Sequence, residues 1–199
     1  MLAYYTMLRC RDELPQYAAD VKKAMKEWLL GLADEYVSHV ASNAFATVMG
    51  HSKRDFVWGS NSVAANQGIL LINAYLLSGD KNYVYGALSN LDYLLGRNAT
   101  GYCFVTGFGV KSPLHPHHRP SVADGIKEPV PGLLVGGPNP GRQDRCRYPF
   151  TDPETAYVDD DCAYASNEIA INWNAPMVYL VNAIEAMRYE LKFSQVTKR

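Results

Sequence analysis

From Tyr17 the apolar residues Tyr17, Val21, Met25, Trp28, Leu29 and Leu32 recur at three- and four-residue steps, while Lys22, Lys23, Lys26 and Glu27 fill the other side. That period predicts an amphipathic helix over residues 17–33. A second periodic segment, residues 62–77, sets Val63, Gln67, Leu70, Leu71, Ala74 and Leu77 on one face and is apolar on most others, as a helix buried on two sides must be. Gly79 and Asp80 read as its stop and the next start. Tyr83, Ala87, Leu88, Leu91, Leu94 and Leu95 trace a helix over 83–95, closed by Gly96. Residues 1–8 read as the tail of an earlier helix. A last helix is expected over 176–189, with Asn174 or Ala175 as cap and Pro176 in the first turn, where its missing N–H costs nothing. Val178, Val181, Ile184 and Met187 would carry its apolar stripe, and 192–199 its frayed end.

Between Arg97 and Asp160 the periodicity fades. This stretch holds nine of the eleven prolines and eight of the fifteen glycines. A loop of that length inside a compact domain is unusual and tends to carry function. The pattern as a whole is all-α, helices of similar length joined by loops, with one long irregular excursion and no repeated sequence unit.

Composition narrows the function classes. The chain has 199 residues, 48% hydrophobic and 20% charged, with 19 basic and 20 acidic residues for a net charge of −1. That suits one globular domain and excludes a disordered or fibrous chain. No long Lys/Arg block is present, so neither nucleic acid nor an anionic membrane surface is an expected partner. The longest apolar run, 69–77, is broken by Asn73 and falls short of a membrane span. The first eleven residues lack the basic-then-apolar order of a secretory leader. Cys10, Cys103, Cys146 and Cys162 are widely spaced with no C-x-x-C, which disfavours a zinc finger and leaves both one or two disulfides and buried thiols open.

Three groups of residues have chemistry. Asp159-Asp160-Asp161 is followed by Glu168, whose neighbours Ile169, Ala170 and Ile171 are apolar; a carboxylic acid so placed suits general-acid work. The competing reading is a solvated acidic loop, with Glu168 capping the next turn. In His115-Pro116-His117-His118-Arg119 the histidines at 115 and 117 suit a metal with a carboxylate, or hydrogen bonds to a polar ligand with Arg119 as a charged clamp, or a rigid surface turn. Trp58-Gly59-Ser60-Asn61 before the buried helix is either core packing with Ser60 or Asn61 as cap, or the wall of a sugar site. Sugars present flat C–H faces to rings and hydroxyls to polar side chains. Tyr148, Phe150, Tyr157, Tyr164 and Trp173 are available for stacking.

On these residues the chain resembles glycoside hydrolase family nine, the inverting cellulase family. Gly109-Val110-Lys111 followed by Pro116-His117-His118-Arg119 is similar to that family's histidine signature. Tyr157-x-Asp159, then Tyr164, Glu168, Ala170 and Asn174-Ala175, is similar to its acidic signature. Trp58-Gly59-Ser60-Asn61, residues 92–98 and Val135-Gly136-Gly137-Pro138-Asn139 also read like the family, and the likeness is strongest over 54–188. The resemblance implies an (α/α)6 barrel with the cleft across one end, and no cofactor or metal. It implies Glu168 as general acid, with Asp159 supporting the acid site. His117 and Arg119 would contact the sugar beside the cleaved bond, with His118, Trp58 and Tyr164 as further substrate contacts. It also implies a secreted or periplasmic enzyme.

One departure matters. The family draws its general base from an Asp-x-x-Asp motif, and this chain has none. Inversion needs two carboxyls roughly 6.5–9.5 Å apart with a water between them. The expectation is therefore that residues 1–199 represent the C-terminal portion of such a catalytic domain, carrying the acid side of a β-1,4-glucan site and inactive alone. Asp160 and Asp161 adjoin Asp159 on the acid's own segment and are poor substitutes for the base. The expected partners are an oligo- or polysaccharide, and either a second copy or the N-terminal half of the same enzyme. The rival readings are a glucosaminidase acting on chitosan fragments, a non-catalytic carbohydrate-binding module, and a His/Asp metalloprotein.

Overall fold

The computed structural model describes residues 2–9 and 15–191. Cys10 and the end expected to fray, 192–199, lie outside them. Five helices carry the architecture of the described residues: α1 (Leu2–Arg9), α2 (Ala19–Ser38), α3 (Ser60–Ser78), α4 (Lys81–Leu94) and, after two short turns, α5 (Arg119–Ala123) and α6 (Tyr164–Asn167), the long α7 (Ile171–Met187). None is long and apolar enough to cross a membrane.

α3 is the hub. It packs against α4, α7, α2 and α1, and nearly every residue from Ala64 to Tyr75 is buried. Its ends are set by two left-handed glycines, Gly59 (φ +82°) and Gly79 (φ +78°), and Asp80 then accepts a hydrogen bond from the Asn82 N–H (2.9 Å) to open α4. A Cβ on Gly68 would lie 2.8 Å from the Leu180 methyls, so this glycine is what lets α7 close on α3. Fully burying side chains such as Leu71, Ile72, Leu94 and Leu180 stabilises by about 1.5–3 kcal/mol each. Polar residues inside these helices act as cross-ties. Asn90 donates to the Ala64 carbonyl and to Gln67 Oε1 (both 2.9 Å) and accepts from the Met49 N–H (2.7 Å), which binds α4 to α3 and to the loop before them.

Four sequence expectations are corrected. Ser60 and Asn61 do not cap α3; they are its first residues and are buried, and Asn61 Nδ2 donates to the Val135 carbonyl (2.9 Å). α7 begins at Ile171, not at Pro176, which lies inside the helix. Asn174 is drawn into the helix because its carboxamide accepts from the Leu134 N–H (2.8 Å) and donates to the Leu134 carbonyl (3.1 Å), a side-chain imitation of a sheet bridge. The buried stripe of α7 is Met177, Leu180, Ile184 and Met187, while Val178 and Val181 face outward. On α2 only Leu29 and Ala33 are buried; Tyr17 and Val21 are exposed, and Trp28 meets Tyr4 edge-on (5.8 Å).

The stretch 97–160 is irregular apart from α5. Isolated bridges tie Val105 to Leu134 within it, and fasten Val135 to Ile169 and His117 to Glu168 in the turn between α6 and α7. The Phe104 N–H donates to the Leu94 carbonyl (2.9 Å) and the Val135 N–H to the Phe104 carbonyl (3.1 Å), so the loop lies down across the end of α4. Beneath it, Tyr157 sits edge-on to both Tyr102 (5.0 Å) and Phe104 (5.2 Å).

Candidate active site

The site forms where three segments of the long loop meet the turn from α6 into α7. Glu168 follows α6 with extended backbone (φ −73°, ψ 149°) and forms a parallel bridge with His117. The His117 N–H donates to the Asn167 carbonyl (2.8 Å), and the Gly136 N–H donates to the Glu168 carbonyl (3.0 Å). Glu168 is thus held between two extended segments and does not cap α7, whose N-cap is Ala170. Of its apolar sequence neighbours, Ile169 packs against the core, Ala170 is half-buried and Ile171 is 90% exposed.

Gly136 and Gly137 are glycines for steric reasons. A Cβ on Gly136 would meet the Ser166 carbonyl and the Trp173 ring at 3.1 Å, and one on Gly137 (φ +91°) would strike the Asn61 carboxamide. With the Asn61 N–H donating to the Gly136 carbonyl (2.9 Å), the start of α3 fixes the height of the Glu168 segment.

Asp159 has both oxygens engaged by the protein. Oδ2 accepts from the Leu114 N–H (2.8 Å) and Oδ1 from the His115 N–H (2.9 Å) and Asn167 Nδ2 (3.2 Å). Its geometry is that of a strut holding the 114–117 segment beside Glu168. Asp160 Oδ1 accepts from the Cys162 N–H (3.0 Å), and the Asp161 carbonyl lies 2.6 Å from His117 Nδ1. A carbonyl only accepts, so Nδ1 carries the proton and Nε2 is left for a ligand.

An aromatic wall runs beside this pair. The half-exposed Trp58 ring lies 5.6 Å from Tyr164, whose ring lies 5.8 Å from the His117 imidazole. Tyr164 is anchored by its hydroxyl, which donates to the Gln143 carbonyl (3.2 Å). Trp58 is therefore not a core residue. Of the other rings named from sequence, Tyr148 and Tyr157 are core and Phe150 is exposed. His118 bonds Ser121 Oγ through Nδ1 (2.8 Å), which braces α5, and Arg119 opens α5 at the surface. His115, Pro116 and Asp159–Asp161 line an open cavity of about 500 Å³ together with Val122, Ile126 and Lys127.

Two features lie beyond what the sequence alone decides. Asn167, between the small Ser166 and Glu168, proves to be a buried hydrogen-bonding centre. Cys146 and Cys162 form a disulfide, which settles the open question about these two; Cys103 is a buried free thiol, and burial pushes its pKa up.

The geometry has known counterparts. The family model described as Glycosyl hydrolase family 9 matches residues 1–181. The chain belongs to glycosyl hydrolase family 9. Among curated family members, a xyloglucan-specific endo-beta-1,4-glucanase of Bacteroides ovatus is 45% identical over 187 residues, covering 94% of this chain and 32% of that protein. Endoglucanase D of Acetivibrio thermocellus is 37% identical over 168 residues, covering 84% of this chain and 24% of its own length. The solved structure of a Bacteroides ovatus family 9 protein superposes with a TM-score of 0.85 at 42% identity, over 94% of this chain and 32% of that one. A second structure, AaCel9A in complex with a cellobiose-like isofagomine, gives 0.81 at 36% identity, over 91% and 34%. The helices described above are accordingly part of the family's (α/α)6 barrel, and the chain spans between about a quarter and a third of the length of these relatives.

Proposed function

We propose that this chain carries the acid side of an inverting β-1,4-glucan hydrolase site, with Glu168 as the general acid that protonates the leaving glycosidic oxygen. The observation that carries the reading is the His117–Glu168 bridge beside the Trp58–Tyr164 wall. The bridge pairs the backbones of residues far apart in sequence, and the His117 ring lies 5.8 Å from Tyr164, which supports reading Glu168, His117 and the two rings as parts of one site. In this reading Trp58 and Tyr164 receive the apolar faces of the sugar. His117, His118 and Arg119 contact its hydroxyls beside the scissile bond, and Asp159 keeps the histidine segment in register. Xyloglucan, on which the Bacteroides ovatus relative acts by its name, belongs among the substrates to be tried. The disulfide near the site supports an oxidising, secreted or periplasmic setting.

No Asp-x-x-Asp motif is present, so the base comes from a segment other than this one: the N-terminal half of the same enzyme or a partner chain. The isolated 199-residue chain is expected to release no reducing sugar from cello-oligosaccharides above the rate of a blank. The enzyme completed by a base-bearing segment is expected to turn over. In it, Glu168→Gln should lower kcat on cello-oligosaccharides about 10²–10⁴-fold and spare aryl glycosides, whose leaving groups need little protonation. Robust turnover by the chain alone, removed at Asp160 or Asp161, would place the base here and overturn the reading. Binding of oligosaccharide by the completed protein without product release would make it a carbohydrate-binding module instead.

A second substrate class has its own observation. Asp160 and Asp161 are exposed on the cavity that His115 and Asp159 also line, where a glucosamine ammonium would find opposite charge. Initial rates of the completed enzyme on chito- against cello-oligosaccharides separate the two.

A further inference from the structure

Three candidates stand outside the roles assigned so far: the stacked His39 and His51 rings, the small cavity under Tyr93, and the buried centre at Asn167. The last is tied by geometry to the reacting groups.

Asn167 is fully buried, and its side chain reaches three segments at once. Oδ1 accepts from the Tyr157 hydroxyl (2.6 Å), and Nδ2 donates to the His115 carbonyl (2.7 Å), to Asp159 Oδ1 (3.2 Å) and, more weakly, to the Asp160 carbonyl (3.4 Å). Its own carbonyl receives the His117 N–H, and its N–H closes α6 on Ala163 (2.7 Å). Burial and the neighbouring Asp159 carboxylate push the Tyr157 phenol well above its ordinary range, so it stays a donor. The carboxamide has two donors and one acceptor to place, and the site supplies partners for all of them. No other common side chain does so: aspartate turns an acceptor toward Asp159 and two carbonyls, and alanine leaves buried groups unpaired.

We infer that Asn167 is the positioning residue that sets the Glu168 carboxyl against the His117 imidazole, by clamping the 114–117 segment, the Asp159 strut and the Tyr157 ring to the residue that precedes the acid. This rests on the reading of Glu168 as the acid. Asn167 touches no reacting atom; it acts through its backbone neighbour Glu168 and through the segment that carries His117. A shift of about 1 Å at such a pair costs on the order of 10²-fold in rate.

The test uses the completed enzyme, with Asn167→Ala, Asn167→Asp and the milder Tyr157→Phe, which keeps the ring and removes the donor to Oδ1. Hydrogen exchange at Leu114, His115 and His117 reads the clamp without reference to activity. The expected result is faster exchange at these amides in all three variants, with exchange in α3 and α4 unchanged. For the two Asn167 variants kcat on cellotetraose should drop about 10²-fold at little change in KM. The loss on an aryl cellobioside should be much smaller, and the alkaline limb of the kcat profile should move. Equal loss on both substrates, which a lowered folded fraction gives, would overturn the inference, as would unchanged amide exchange. If the parent enzyme hydrolyses neither substrate, the reading of the function fails, and amide exchange alone decides the clamp. If the Asn167 variants do not fold, Tyr157→Phe carries the same two readouts.

Discussion

Tyr5 and Tyr83 are both pushed up to about 12, Tyr5 by burial and then by the nearby Tyr36 and Tyr179, Tyr83 by burial and then by the hydrogen bond it donates to Asp34 (2.6 Å). An unfolded tyrosine ionises near pH 10. Between those values the folded chain holds protons that the unfolded chain has released, so stability is full below about pH 10 and is lost as pH rises toward about 12. Urea midpoints taken across that window should fall steadily, and Tyr83→Phe should flatten part of the slope. At the same scale, the site shows how far single residues could be read. The spacing of two signatures points to Glu168, Asp159 and His117 as neighbours, and the fold does bring their segments together. The tie between Asn61 and Val135 is not legible in this way, because it joins positions 74 residues apart and no local pattern encodes it.

At the scale of elements, α3 and α4 lie within two residues of their expected ends because periodicity, Gly79 and Asp80 all act locally. α7 does not. Its start and its buried stripe are decided by what it packs against: Leu134 captures Asn174, and Gly68 opens a seat for Leu180. That assigns unlike costs to residues two positions apart. Leu180→Ala removes a fully buried side chain from the α3–α7 contact and should destabilise by about 2–5 kcal/mol. Val178→Ala, on the outward face, should stay within about 0.5 kcal/mol. Equilibrium denaturation of the two variants measures the difference. Comparable losses would mean that the outward face of α7 is covered by another copy in solution.

The whole molecule has an uneven surface. A groove of about 900 Å³ between α1, α3 and α7 is walled by Tyr5, Val63, Ile69, Leu70, Pro176 and Tyr179, and α2 leaves much of its stripe exposed. Open apolar area on this scale favours association. Sedimentation of the isolated chain should therefore show species larger than a monomer, and a monomer that binds no hydrophobic dye would contradict this. The Cys146–Cys162 bond has a consequence at the same scale. It closes a covalent ring that encloses Asp159 and leaves Glu168 just outside. The ring's most accessible stretch is 149–152, which includes the exposed Phe150. A protease that cuts there severs the backbone without parting the molecule, so nicked and intact chains migrate alike until a thiol reagent opens the ring and releases two fragments.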